Sequence, residues 1–80
     1  MIIKILGSGC KKCVALGDNA KAAAASAGID ADIEKVTDII AIAGYGIMST
    51  PGLVINEKVV SSGRVLTPAE ITPLLQEART

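Results

Sequence analysis

Residues Met1 to Leu6 are mostly β-branched and apolar at both odd and even positions, a pattern a strand tolerates only when both of its faces are covered. Such a strand is central in its sheet, and helices must lie on both sides of it. Gly7-Ser8-Gly9 ends it. From Lys11 to Ala27 the chain is rich in Ala, with Leu16, Ala20, Ala23, Ala24 and Ala27 forming a small-residue stripe at helical spacing and Gly28 placed just past its end. A strand, a tight turn and a long helix define the α/β class. Eighty residues make one domain, 1–80, which buries only somewhat more than half of its unfolded surface. Half of the chain is hydrophobic but only one residue is aromatic, so the core is built from Ile, Val, Leu and Ala.

The rest of the chain continues the alternation. Asp30 to Val36 alternates, with Ile33 between Asp32 and Glu34, as a strand exposed on one face or lying at an edge does. Thr37 is placed to cap a short helix running to about Ala43, with Asp38 in its first turn and Gly44 and Gly46 at its end. Leu53–Ile55 and Val59–Ser61 flank Asn56-Glu57 as a hairpin, with Glu an unwilling occupant of positive φ. Thr67-Pro68-Ala69-Glu70 is a capping box, followed by Ile71, Leu74, Leu75 and Ala78 on one face. Pro73 inside that helix predicts a kink or a tightened first turn, or a restart with Thr72 as cap. The order β-α-β-α-β-β-α, with a right-handed crossover joining the first two strands, predicts a mixed four-stranded sheet flanked by three helices.

Composition excludes several functions. Formal net charge is zero and the eight basic residues are dispersed, so there is no basic stripe for nucleic acid. No apolar run approaches the roughly 18 residues of a membrane span. The first residues carry neither a basic flank nor a signal-length apolar run, so a cytoplasmic location is expected. No long exposed apolar stripe demands a second copy, and a monomer is expected.

Two cysteines three positions apart close too small a loop to serve as a structural staple. Their chemistry is the better explanation. Cys10 falls where the first strand hands over to the helix, and Cys13 one turn inside. Unpaired helix N–H groups stabilise a thiolate at Cys10, and Lys11 and Lys12 add charge, which takes its pKa below the free value of about 8.5. Cys10 is the expected nucleophile. Cys13, on the same side of the first turn, can attack a mixed disulfide at Cys10 and release the partner. Two alternatives remain open: soft-metal carriage by the two thiolates, and inert packing. Zinc is disfavoured because the chain has two Cys and no His. Met48 enters only as a further sulfur for a soft metal, Tyr45 is read as packing, and Arg64 and Lys4 as solvated charges.

Together with the dithiol, Tyr45-Gly46-Ile47-Met48-Ser49-Thr50-Pro51-Gly52-Leu53-Val54-Ile55 resembles the thioredoxin superfamily, where a similar segment leads through a cis-proline into the third strand. The compact layout is most similar to the small glutaredoxin-like, or redox-active disulfide, proteins of archaea and bacteria. The resemblance implies a thioredoxin-like fold and thiol–disulfide exchange with a protein substrate. It implies an upstream reductase and no bound cofactor. Carried over, Pro51 faces the dithiol and the backbone at Thr50 pairs with the substrate chain. Gly7-Ser8-Gly9 stands where thioredoxins carry an aromatic residue, implying a more open site. Lys11-Lys12 replaces the Gly-Pro of thioredoxins, implying a more oxidising couple. Ser61-Ser62-Gly63-Arg64 lacks the second Gly and the Asp of a glutathione site, which puts glutathione use in question. The soft-metal rival implies a β-α-β-β-α-β layout instead. A third reading is a thioredoxin-like adaptor in which the cysteines matter little.

Overall fold

The structure, a computed structural model, describes residues 1–7, 11–47 and 49–79. Its elements are β1 (Ile2–Leu6), α1 (Lys11–Ser26), β2 (Asp32–Val36), α2 (Ile39–Gly44), β3 (Gly52–Ile55), β4 (Lys58–Ser62) and α3 (Pro68–Arg79). The sheet order is β2-β1-β3-β4. β1 pairs in parallel with β2, Ile5 opposite Lys35, and antiparallel with β3, Ile5 opposite Leu53. It thus has a neighbour on each side, as its apolar parity requires, while β2 takes an edge as its alternation requires. This is the predicted mixed α/β sheet with three helices. The β-α-β-β-α-β order of the soft-metal rival is not the one observed.

The two sheet faces are covered unequally. Ile3, Ile5, Leu53 and Ile55 point into a large cluster with Cys13, Leu16, Ala20, Ala23 and Ala24 of α1 and Ile71 and Leu75 of α3. The alanines let α1 lie close to the sheet, which is how a core with one aromatic reaches native packing. On the opposite face Leu6 and Val54 meet Ile42 of α2, with Val36, Tyr45, Ile47 and Val59 partly buried around them. Ala78, expected on the inner face of α3, is exposed.

Local chemistry sets the element ends. Gly28 closes α1 at φ 67°, in the left-handed region. Asp38, rather than Thr37, caps α2: its carboxylate accepts from the Ile40 N–H at 3.0 Å and its backbone is extended. The helix starts one residue later than predicted because Asp38 bonds the backbone two residues on, a geometry open to Asp at the cap and lost inside the helix. At α3 the capping box forms in both directions: the Thr67 N–H donates to Glu70 Oε1 at 3.0 Å and the Glu70 N–H to Thr67 Oγ1 at 3.2 Å. The Glu70 N–H also reaches the Thr67 carbonyl at 3.0 Å, a tightened first turn. α3 then runs through Pro73 without restarting. The Thr72 hydroxyl donates to the Pro68 carbonyl at 2.8 Å, so Thr72 is a helix-interior residue and not a second cap.

The β3–β4 turn takes positive φ at both Asn56 (50°) and Glu57 (67°), the two-residue turn whose twist matches the strands. What holds Glu there is its side chain. Its carboxylate pairs with Lys4 Nζ and accepts from the Tyr45 hydroxyl at 3.2 Å, while Lys4 donates to the same hydroxyl at 3.0 Å. The hydrogen bond from Lys4 holds the Glu57 carboxyl below the usual carboxylate range, and those to Glu57 and Tyr45 raise Lys4. A carboxyl lowered by folding contributes stability that is present above its unfolded pKa, about 4.3, and is lost as pH falls through its folded value. Lys4 stays charged throughout that window. Urea midpoints measured from neutral to acidic pH are therefore expected to fall less steeply for Glu57→Gln than for the parent. Parallel curves would remove the carboxylate from the acid response. The effect is modest, since the Glu57 side chain is 64% exposed.

Candidate active site

Cys13 sits in the first turn of α1 on the helix's inner face and is 5% exposed. Lys11 and Lys12 stand in the same turn on the outer face, both exposed. Cys10, the expected nucleophile, lies outside the described residues, as does Met48.

Under Cys13 the end of β1 approaches so closely that only glycine fits. A Cβ on Gly7 would overlap Cys13 Sγ and stand in ordinary contact, 3.4 Å, with its Cβ. The same position would be 3.8 Å from Thr50 Cβ. Gly7 is thus the floor on which the helix cysteine and the proline loop converge. Its N–H donates to the Val36 carbonyl at 2.9 Å, continuing the β1–β2 ladder up to the site. The sequence shows Gly7 only as a turn residue, because nothing in it reveals which sulfur lies above.

The Thr50–Pro51 peptide is cis, with Pro51 buried and Thr50 exposed. The loop is fastened to the far side of the sheet, where the Gly63 N–H donates to the Pro51 carbonyl at 2.8 Å. Arg64 is turned away to Glu70, 3.5 Å between Nη2 and Oε2, and its side chain is 70% exposed. Tyr45 is half-buried at the end of α2 and engaged with Lys4, whose Nζ is also 5.7 Å from the ring centroid. It packs on the face opposite α1, as the packing reading has it.

Beside Cys13 lies a cavity of about 30 Å³ lined by Ile5, Gly7, Cys13, Val14, Lys35 and Thr37. Lys35 and Thr37 escape a motif search, yet the alternation of β2 places Lys35 on the face of Ile33, toward α1. Larger grooves, about 340 Å³ between α1 and β2 and about 420 Å³ between β4 and α3, are open and contain no cysteine. Among the described residues no three His, Cys, Asp or Glu side chains gather as a metal site. No described helix is long and apolar enough to cross a membrane.

A four-stranded mixed sheet, a cysteine in the first turn of the helix after its central strand, and a cis-proline loop brought beside that cysteine define a thioredoxin-like protein. Comparison of sequences agrees: a family model described as "Thioredoxin domain" matches residues 1–76, and the chain belongs to the thioredoxin superfamily. It is similar to the thioredoxin of Methanocaldococcus jannaschii, 39% identical over 71 residues that cover 89% of this chain and 81% of that protein. It is also similar to the thioredoxin of Methanothermobacter thermautotrophicus, 37% identical over 75 residues that cover 94% and 97% of the two chains. At the general level of that superfamily it is a thiol–disulfide oxidoreductase.

Proposed function

We propose that the chain, acting as one domain over residues 1–80, exchanges disulfides with a protein partner through a dithiol formed by Cys10 and Cys13. The observation that carries this reading is the convergence of Cys13 and Thr50 over Gly7. It puts a buried sulfur near an exposed residue, Thr50, whose backbone an extended substrate could pair with. In the proposed reaction the Cys10 thiolate attacks one sulfur of the partner's disulfide, and the other sulfur leaves as a thiolate. The Cys13 thiolate then attacks Cys10 Sγ, giving the Cys10–Cys13 disulfide and a reduced partner. An upstream reductase returns two electrons. Lys11 and Lys12 favour the attacking thiolate at Cys10, and Pro51 shapes the substrate groove with Thr50. The reaction uses no bound cofactor, and we place it in the cytoplasm, in a monomer that serves electron transport.

The test is a redox titration of chelator-treated protein in defined dithiol buffers, with both thiols followed by alkylation and mass. A reversible two-electron transition is expected, abolished by Cys10→Ser and by Cys13→Ser. Thiols that stayed reduced throughout, protected from alkylation only by stoichiometric metal, would end the oxidoreductase reading.

A further inference from the structure

The segment 46–50 joins α2 to Pro51, and its two ends are fixed by different means. At the far end the fastening is backbone: the Gly63 N–H donates to the Pro51 carbonyl at 2.8 Å. Beside it Ile47 reaches across Gly52, where an added Cβ would stand 2.7 Å from Ile47 Cδ1. At the near end α2 contributes little, with six residues and Ile42 as its one buried side chain. The polar fastening at this end is the side chain of Tyr45, the C-cap of α2. Its hydroxyl accepts from Lys4 Nζ at 3.0 Å and donates to Glu57 at 3.2 Å, and Lys4 and Glu57 pair with each other. Lys4 stands in β1 between Glu34 of β2 and Val54 of β3, and Glu57 in the tight turn after β3. One hydroxyl thus ties the end of a lightly held helix to the central strand of the sheet. Both of its bonds are charge-assisted, stronger than neutral ones. The Lys4 side chain is only 20% exposed, so that half of the network is the less screened.

We propose that Tyr45 is a positioning residue for protein substrates: through the bonds of its hydroxyl to Lys4 and Glu57 it fixes where the segment 46–50 starts, and so where Thr50 stands relative to Cys13. The inference rests on the dithiol reading above, in which a partner chain pairs with the backbone at Thr50. Packing requires only the ring of Tyr45; a hydroxyl held between a lysine and a carboxylate serves the chain that follows. Tyr45 exchanges no proton or electron with the substrate. Without its hydroxyl the ring stays packed on the cluster of Leu6, Ile42 and Val54, while the segment 46–50 gains freedom at one end. A partner that must align an extended chain with Thr50 then meets a less ordered template. A disulfide too small to make that pairing reaches the sulfurs as before.

The test follows exchange on two disulfides, insulin and bis(2-hydroxyethyl) disulfide, with dithiothreitol supplying the electrons. Tyr45→Phe is expected to lower the ratio of their kcat/KM values, insulin over small disulfide, about three- to tenfold. That is short of the roughly 10²-fold cost of a misplacement on the order of 1 Å, because Gly63 still holds the far end. Lys4→Met should lower the ratio likewise, and the double variant little further. Lys58→Met, an equal change of net charge, should leave it in place. The amides of Ile42, Tyr45 and Gly46, bonded to the carbonyls of Asp38, Ile42 and Ala43, should exchange about three- to tenfold faster in Tyr45→Phe while those of β1 keep their rate. An unchanged ratio in Tyr45→Phe, additive effects of Tyr45→Phe and Lys4→Met, or unchanged amide exchange at the end of α2 would overturn the proposal. A parent inert toward both disulfides would end the dithiol reading and the substrate role with it, whereas a failed ratio in an active parent ends only the role of Tyr45.

Discussion

Replacing Gly7 by Ala is expected to cut disulfide exchange about a hundredfold while leaving the fold intact. The added methyl would overlap Cys13 Sγ, which α1 holds 5% exposed over the sheet. Either the sulfur rotates away or the start of α1 lifts. A displacement on the order of 1 Å at a reacting atom costs about 10²-fold in rate, and overpacking of this kind costs about 1–3 kcal/mol of stability. The cause can be isolated in a double-mutant cycle, since Cys13→Ala removes the sulfur that the methyl meets. Gly7→Ala should destabilise the Cys13→Ala chain clearly less than the parent, with a coupling of about 1 kcal/mol or more. Equal costs in both backgrounds would mean that Gly7 serves the backbone and not the sulfur.

Leu16→Ala should produce the largest loss of stability. Leu16 is fully buried in the cluster formed by α1, the sheet and α3, and most of its α1 neighbours in that core are alanines that cannot close a hole. Truncating a buried Leu costs about 2–5 kcal/mol, the upper part of the range applying where the surroundings cannot collapse. In a domain of this size that is a large share of the total, and a fall in Tm of about 10 °C or more follows. A fall of only a few degrees in a calorimetric melt would show that α1 settles onto the sheet.

Much of the fold could be read from the sequence because each element is signalled locally. The doubly apolar β1, the small-residue stripe of α1, the edge alternation of β2 and the reciprocal cap at Thr67 and Glu70 all rest on residues close in sequence. Where two local signals competed, the reading slipped. Thr37 and Asp38 both qualify as caps, and only the backbone decides that Asp38 bonds the Ile40 N–H. Glu57 is a poor turn residue by local rules, and its place depends on Lys4 and Tyr45, residues 53 and 12 positions away. The candidate site divides in the same way. The cysteine spacing and the proline segment are visible as motifs, whereas Gly7 under Cys13 and Lys35 across the cavity exist only once β1, β2 and α1 are assembled. Lys35 reads in sequence as one more charge on an edge strand.

The unequal covering of the two sheet faces has a consequence for hydrogen exchange. α2 has six residues and one buried side chain, and Ile39 and Ile40 are 77% and 82% exposed, so little holds it down once Ile42 lets go. Its amide protons should exchange by brief local opening, while those of β1, β3 and the middle of α1 wait for the whole chain to unfold. The proline loop leaves from the end of α2 and Cys13 rests on α1. Cys13 thus packs on the side of the sheet that holds the slow-exchanging core, while the short α2 opens on the other.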